Sequence, residues 1–320
     1  MEQAQRAPAQ PTFRAELWPV VLSLALGIVL LTVKFVAYYI TKSAAIFSDA
    51  MENVVNVLTS AFAVYAVCVA HQPADQDHPY GHGKIEFLSA GFEGGMILLA
   101  AVLIAVRAME SLAIGQGPMD VQVGIILTFA TSAFCAVVGL FLRRRAASTG
   151  SMTLEADGIH LLSDAVTGAI VLAGLLVVHW TKIAAADPIA ALLVSAWIIT
   201  QGAGLVKRSA AGLMDQQDAR DTILLQAVLD RHCGLAGAEP RICSYHKVRH
   251  RHTGRHHWVD FHIQVPADWD VARGHRVATS IEIEIERELG DCNATAHVEP
   301  CIAPECQACA QNEPGAEKKP

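Results

Sequence analysis

Asp49 and Asn53, and far along the chain His160 and Asp164, stand inside stretches that are otherwise apolar. Each pair is spaced i, i+4, which places both side chains on one face of a helix. Two such helices facing each other would offer a carboxylate, an amide oxygen, an imidazole and a second carboxylate to one tetrahedral ion. That donor set suits Zn2+ or another borderline divalent metal. The plainer reading is that these groups only join helices by hydrogen bonds. Two matching pairs favour ligation, because an ionisable residue in a membrane-length segment costs several kcal/mol and typically faces a cavity. Lys34, Glu52, Glu93, Arg107 and Asp157 lie in or near the same stretches. Glu52 adjoins Asn53 but points about 100° away on a helix.

A second group, Asp75, His78 and His82, falls in a polar loop shaped by Pro79, Gly81 and Gly83. A third lies beyond residue 210, which holds 9 of the 14 His and 6 of the 8 Cys. There, strand alternation places His246, His250 and His252 on one face of a first strand, and His262 with Trp258 and Asp260 on a second. His275 opens a helix, and His297 and Glu299 share a face of a last strand. Solvated surface histidines are the alternative, but nine in one small domain favour a metal. Cys301, Cys306 and Cys309 form a C-x4-C-x2-C tail. A structural zinc site commonly shows four ligands as two pairs, so this possible tail metal site is one short. Cys292 or a partner chain is the expected fourth. Cys68 and Cys135 read as core packing.

These residues need helices to carry them. Mean hydropathy is +0.34 and only 17% of residues are charged. The charges divide near residue 210, with 12 Lys/Arg and 14 Asp/Glu before it and 12 and 17 in the 110 residues after it. A uniform soluble enzyme is thereby excluded, and the net charge of −7 gives no reason to expect nucleic acid. A membrane-spanning helix needs about 20 mostly apolar residues. Segments 17–39, 44–70, 87–114, 121–142, 159–180 and 188–205 qualify, so six transmembrane helices are expected. The first follows a polar stretch with no small-residue cleavage site after it, and reads as a retained span with residues 1–16 as a tail. Lys and Arg concentrate at Arg6, Arg14, Lys84, Arg143–Arg145, Lys207 and Arg208, against Lys42 and Lys182 on the other side. This asymmetry places both termini in the cytoplasm. The Cys would then sit in a reducing compartment, as thiols or metal ligands.

Residues 211–303 read as a cytoplasmic α+β domain after a transport domain at 17–210. The spacing predicts a helix over 218–232, strands at 241–251 and 257–265 joined by a turn at Gly254, and a strand at 295–299. Residues 271–289 are ambiguous: Ile281, Ile283 and Ile285 alternate like a strand, whereas Ala278, Ile281, Ile285 and Leu289 form a helix stripe. Length decides for helix. The Glu/Pro/Gly/Lys-rich tail, 304–320, is expected to be disordered.

Three motifs resemble the cation diffusion facilitator family, in particular its bacterial ferrous-iron and zinc efflux branch. They are S-D-A-M-E-N at 48–53, Q-P-A-D-Q-D-H-P-Y-G-H-G-K-I-E at 72–86, and A-D-G-I-H-L-L-S-D at 156–164. The resemblance runs from about residue 17 to 300. It implies a homodimeric divalent-metal/proton antiporter in the bacterial inner membrane, with six spans and a metallochaperone-like α+β domain. The family's transport site falls on Asp49, Asn53, His160 and Asp164, and its loop site on Asp75, His78 and His82. Its binuclear cytoplasmic site falls on His246, His262, His275, His297 and Glu299, and its dimer interlock on Lys84 and Asp215. Two departures stand out. Asn53 replaces the usual Asp and removes one negative charge from the site, and Glu299 replaces an Asp.

The expected function is therefore divalent-metal efflux, with zinc as first choice and Fe2+, Cd2+ and Co2+ as alternatives. Proton coupling follows because metal binds deprotonated ligands, and an unperturbed imidazole titrates near about pH 6.5. The competing class is a membrane-anchored metal sensor or scaffold that binds without transporting. An embedded hydrolase is disfavoured, since neither H-E-x-x-H nor G-x-S-x-G is present.

Overall fold

Six long helices and a small three-stranded α+β unit make up the computed structural model, which describes residues 13–41, 44–114, 121–181, 186–233, 242–302 and 306. These residues divide into two compact units, with the division between Leu213 and Met214.

The first unit holds α1 (Phe13–Thr41), α2 (Ala44–Ala70), α3 (Ile85–Ile114), α4 (Val121–Thr149), α5 (Met152–Thr181) and α6 (Ala186–Leu213). All six expected segments are helical. At 1.5 Å per residue each is about 40 Å long, longer than a hydrocarbon core of about 30 Å. Among the described residues, Phe13–Val33 and Ile85–Glu110 are long and apolar enough to cross a membrane by length and composition. Large apolar side chains cover the outside of the helices, with Val29, Val33, Leu103, Phe129 and Leu193 all more than half exposed. Such a surface is unfavourable in water and at home in lipid.

Small residues let the helices approach. A Cβ built on Gly94 of α3 would stand 3.1 Å from the Gly202 carbonyl of α6, and one on Gly158 of α5 would stand 3.0 Å from the Arg143 amide of α4. Two apolar clusters result. Val20, Val67, Val138, Leu142 and Leu154 join α1, α2, α4 and α5, and Ala90, Ile97, Ala156, Val194, Ile198 and Leu205 join α3, α5 and α6. Among the described residues, only α5 contributes buried residues to both. It starts seven residues before the apolar segment at 159, because Glu86 binds its first turn. Glu86 accepts from the Ser151 hydroxyl at 3.1 Å and from the Met152 amide at 3.0 Å. The glutamate that ends the G-H-G-K-I-E motif thus anchors the start of α5.

The second unit holds α7 (Ala219–His232), β1 (Ser244–Thr253), β2 (His256–Val265), α8 (Val271–Leu289) and β3 (Cys292–Pro300). The sheet order is β1-β2-β3, with β1 antiparallel and β3 parallel to β2. Asp218 and Asp270 cap the two helices, accepting from the amides of Arg220 and Arg273. Gly254, at φ +64°, makes the β1–β2 turn. Ile281 and Ile285 are fully buried while Ile283 is 59% exposed, which settles 271–289 as a helix. They pack with Leu225, Leu229, Val259, Phe261 and Ile263.

Replacing Gly158 by Val is expected to cost about 1–3 kcal/mol through overpacking of α4 against α5. Gly95→Ala, where a Cβ meets nothing within 4 Å, is expected to stabilise α3 by about 0.5–1 kcal/mol. Thermal melts in detergent should move in opposite directions for the two variants.

Candidate metal sites

α2 and α5 carry the two i, i+4 pairs. Asp49 belongs to α2, but its side chain lies outside the described part of the structure. Asn53 is half-buried, and its amide nitrogen has no hydrogen-bond partner among the described residues. His160 is 5% exposed. Its Nε2 lies 3.7 Å from the Asp164 carboxylate, so the i, i+4 spacing does bring this pair together. Two further side chains meet there that the sequence reading did not place. Asn56 of α2 bridges the pair: its carbonyl accepts from His160 Nε2 at 3.1 Å and its amide donates to Asp164 at 3.1 Å. Glu93 of α3, 1% exposed, lies 3.4 Å from His160 Nδ1. Asn56 was legible in principle, because 49, 53 and 56 continue one helical stripe. Glu93 was not, since its helix reaches α5 only through tertiary packing. A carboxylate beside the far nitrogen of an imidazole fixes its ring orientation, as in many metal-ligating histidines.

The loop between α2 and α3 brings its three residues together. Asp75 accepts from the His78 amide at 2.6 Å and lies 3.2 Å from His78 Nδ1 and 3.3 Å from His82 Nε2. The two rings are 4.5 Å apart. The His78 amide, first, and the two imidazoles hold the Asp75 carboxyl below its usual range. Gly81, at φ +79°, allows the turn. The three ligand atoms lie within 4.8 Å of one another, an open three-donor set.

In the second unit, a bulge rearranges the expected face. β1 pairs His246 with His262 and Arg249 with Asp260, three residues against two, with Lys247 at φ +52°. Strict alternation would place His246, His250 and His252 together. The extra residue turns His250 and His252 to the face of Val259 and Phe261, and leaves His246 opposite, beside His262.

On that opposite face His262 donates to Glu299 at 2.7 Å, and His246 Nε2 lies 3.2 Å from the other Glu299 oxygen. The His262 bond is the main reason the Glu299 carboxyl is held below its usual range. His297 is more distant, 3.9 Å from Glu299, with its ring 4.7 Å from His262. Only His246, His262 and Glu299 form a close ligand group. His275 is exposed on α8 and lies outside it.

On the core face a second group was missed for want of Asp221. Asp221 of α7 accepts from His252 at 2.9 Å, with His257 Nδ1 3.5 Å from the same oxygen. The Thr222 hydroxyl donates to the Asp218 carbonyl, so His250 Nε2–H must donate to Thr222, at 2.9 Å. That leaves His250 Nδ1 as a buried lone pair with no hydrogen-bond partner among the described residues. Asp221, His250 and His252 have ligand atoms within 4.8 Å. Burial lowers the His250 pKa and lowers that of His257 to about 4.

A last group joins Cys301 and Cys306 to Cys243, not to Cys292. Cys309 lies outside the described residues. Lys84 is half-buried before α3 in the first unit. Asp215, in the second unit, has φ +57° and lies 3.7 Å from Arg251.

Residues 20–214 match the cation efflux transmembrane domain and residues 227–301 the cation efflux protein cytoplasmic domain. The chain is 33% identical over 285 residues to an uncharacterized transporter, sll1263, of Synechocystis, covering 89% of this chain and 90% of that one. It is 26% identical over 283 residues to the cation-efflux pump FieF of Shewanella oneidensis, covering 87% and 92%. A solved chain of CzrB, 24% identical, aligns over 27% of this chain and 98% of that chain, with a TM-score of 0.24.

The buried imidazoles give a pH dependence of defined sign. Below the ordinary value of 6.5 the unfolded chain binds protons that folded His257 refuses until about pH 4. Stability of the metal-free protein is therefore expected to fall as pH drops from 6.5 toward 4. Melts in chelator should show this loss, and His257→Gln should flatten it.

Proposed function

Because this chain belongs to the cation efflux family, whose members are membrane-embedded transporters rather than enzymes, we propose that it exports Zn2+ in exchange for protons by alternating access. The observation that carries this reading is His160. It is a nearly fully buried imidazole on α5, within 3.7 Å of Asp164 on its own helix, Asn56 on α2 and Glu93 on α3. The substrate ion is held by Asp49, Asn53, His160 and Asp164. One imidazole with carboxylates favours zinc over Mn2+, with Fe2+, Cd2+ and Co2+ as competitors. The Asn56 amide bridges His160 Nε2 and Asp164, so an ion taken up by those two ligands exchanges that bridge for its own bonds. Protons entering from the outer side compete for the same ligands. Glu93 faces the second imidazole nitrogen and steadies the charged ring. Release of metal and uptake of protons are linked because the metal needs deprotonated donors.

All six helices of the first unit span the bacterial inner membrane, with both termini cytoplasmic. The match to the family's cytoplasmic domain supports a homodimer, tied by Lys84 and Asp215. The loop group Asp75, His78 and His82 captures metal at the membrane surface. His246, His262 and Glu299, with His297 beside them, bind metal as its cytosolic level rises; His275 joins them only through rearrangement or from a second copy.

Zinc flux into proteoliposomes under a pH gradient tests this. Asp49→Ala, His160→Ala and Asp164→Ala are each expected to lower flux by about tenfold or more, while the protein still inserts and dimerises. Wild-type flux in all three would reject transport at this site, and metal binding with no wild-type flux would establish the sensor reading instead. Asn53→Asp, which restores a charge, is expected to change the relative rates for Zn2+, Fe2+, Cd2+ and Co2+. An unchanged selectivity profile would show that Asn53 does not tune the site.

A further inference from the structure

The three-cysteine tail lacks a partner in sequence, and the fold supplies one. Cys243 lies 58 residues before Cys301, just ahead of β1. Its amide donates to the Gln264 carbonyl at 2.7 Å, and the Cys301 amide donates to the next carbonyl, Val265, at 2.7 Å. Consecutive carbonyls at the end of β2 thus hold the two cysteines on its two sides, one ahead of an antiparallel strand and one behind a parallel strand. Cys301 is 8% exposed. Cys306 returns to them after four intervening residues, and the three sulfurs lie within 4.8 Å of one another.

We propose that Cys243, Cys301 and Cys306 form a thiolate site for a borderline or soft metal ion, Zn2+ in the resting protein, which fastens the chain after β3 at the end of the central strand, β2. Three observations support it. First, sulfurs around a tetrahedral zinc stand about 3.8 Å apart, from Zn–S bonds of about 2.3 Å, so closing from 4.8 Å needs only about 1 Å of movement. Second, the backbone bonds set two of the three donors before any ion arrives, which lowers the ordering cost of binding. Third, none of these thiols is in a disulfide, and a disulfide would use two sulfurs and strand the third. Thiolate donors select Zn2+, Cd2+ and Cu+ over oxygen-seeking ions. The site serves no step of transport. It staples the C-terminal segment, and its occupancy is independent of the flux assigned to the first unit.

Among the described residues every other ligand group offers only nitrogen and oxygen, so sulfur spectroscopy isolates this one. The full chain, purified in detergent and stripped by chelator, would be loaded with Co2+. Sulfur-to-cobalt charge-transfer absorption in the near ultraviolet is expected in wild type. Loss of that absorption is expected in Cys243→Ser and Cys306→Ser, with one fewer tightly held Zn2+ per chain by elemental analysis. His246→Ala should keep the band. No band in wild type, or an undiminished band in Cys243→Ser, would overturn the proposal. Alkylation of the wild-type protein needs no variant. Zinc should protect Cys243, Cys301 and Cys306 together and chelator should expose them together; protection of Cys301 alone, or no effect of chelator, would also overturn it.

Discussion

An imidazole removed from water must find polar partners, and the first unit is organised around that requirement at His160. Its two ring nitrogens face Glu93 on one side and Asn56 and Asp164 on the other. Three helices therefore meet through one ring, inside a unit whose outer surface is apolar. The arrangement depends on how close α5 can come to its neighbours. Gly139 and Gly158 remove the side chains that would hold α4 and α5 apart. Glu86 then fixes the start of α5, two turns before His160. A displacement of α5 by one side chain would strand the buried His160 ring and the buried Glu93 carboxyl, at a cost of several kcal/mol. The same sensitivity suits a transport site, because exchanging one set of partners for another requires the helices to move.

Charge arithmetic distinguishes this site from the family pattern. Asn53 in place of Asp leaves two carboxylates among the four proposed ligands, so a divalent ion held there would be neutralised without surplus. Glu93 of α3 stands 3.4 Å from the second ring nitrogen of His160, so a third helix contributes to the surroundings of that ring.

In the second unit one extra residue in β1 divides the histidines between two faces. His246 joins His262 and Glu299 on the open face, where a carboxylate and two imidazoles stand within reach of solvent. His250 and His252 turn inward to Thr222 and Asp221 of α7. Burial lowers the pKa of His250 and of His257, so both imidazoles favour the neutral form where helix meets hairpin. The cysteines use a third location, the end of β2. Three ligand groups, two of imidazole and carboxylate and one of thiols, are thus separated by the sheet itself.

Much of this was legible in the sequence because it is local. Apolar runs fixed the six helical segments, since backbone in lipid must satisfy its own hydrogen bonds. Spacing of i, i+4 placed Asp164 beside His160, and the Pro- and Gly-shaped loop gathered Asp75, His78 and His82 within eight residues. The choice of helix for 271–289 rested on length, and burial of Ile281 and Ile285 with Ile283 exposed agrees with it. Tertiary structure decided the rest. Glu93 reaches His160, Asp221 reaches His252 and Cys243 reaches Cys301 only because elements remote in sequence pack together. The bulge at Lys247 reversed the face of His250 and His252, which no count by twos can anticipate, because one inserted residue changes the side of every residue beyond it. Spacing along the chain determines which residues share an element's face; which faces meet is decided by packing, and packing depends on all the elements at once.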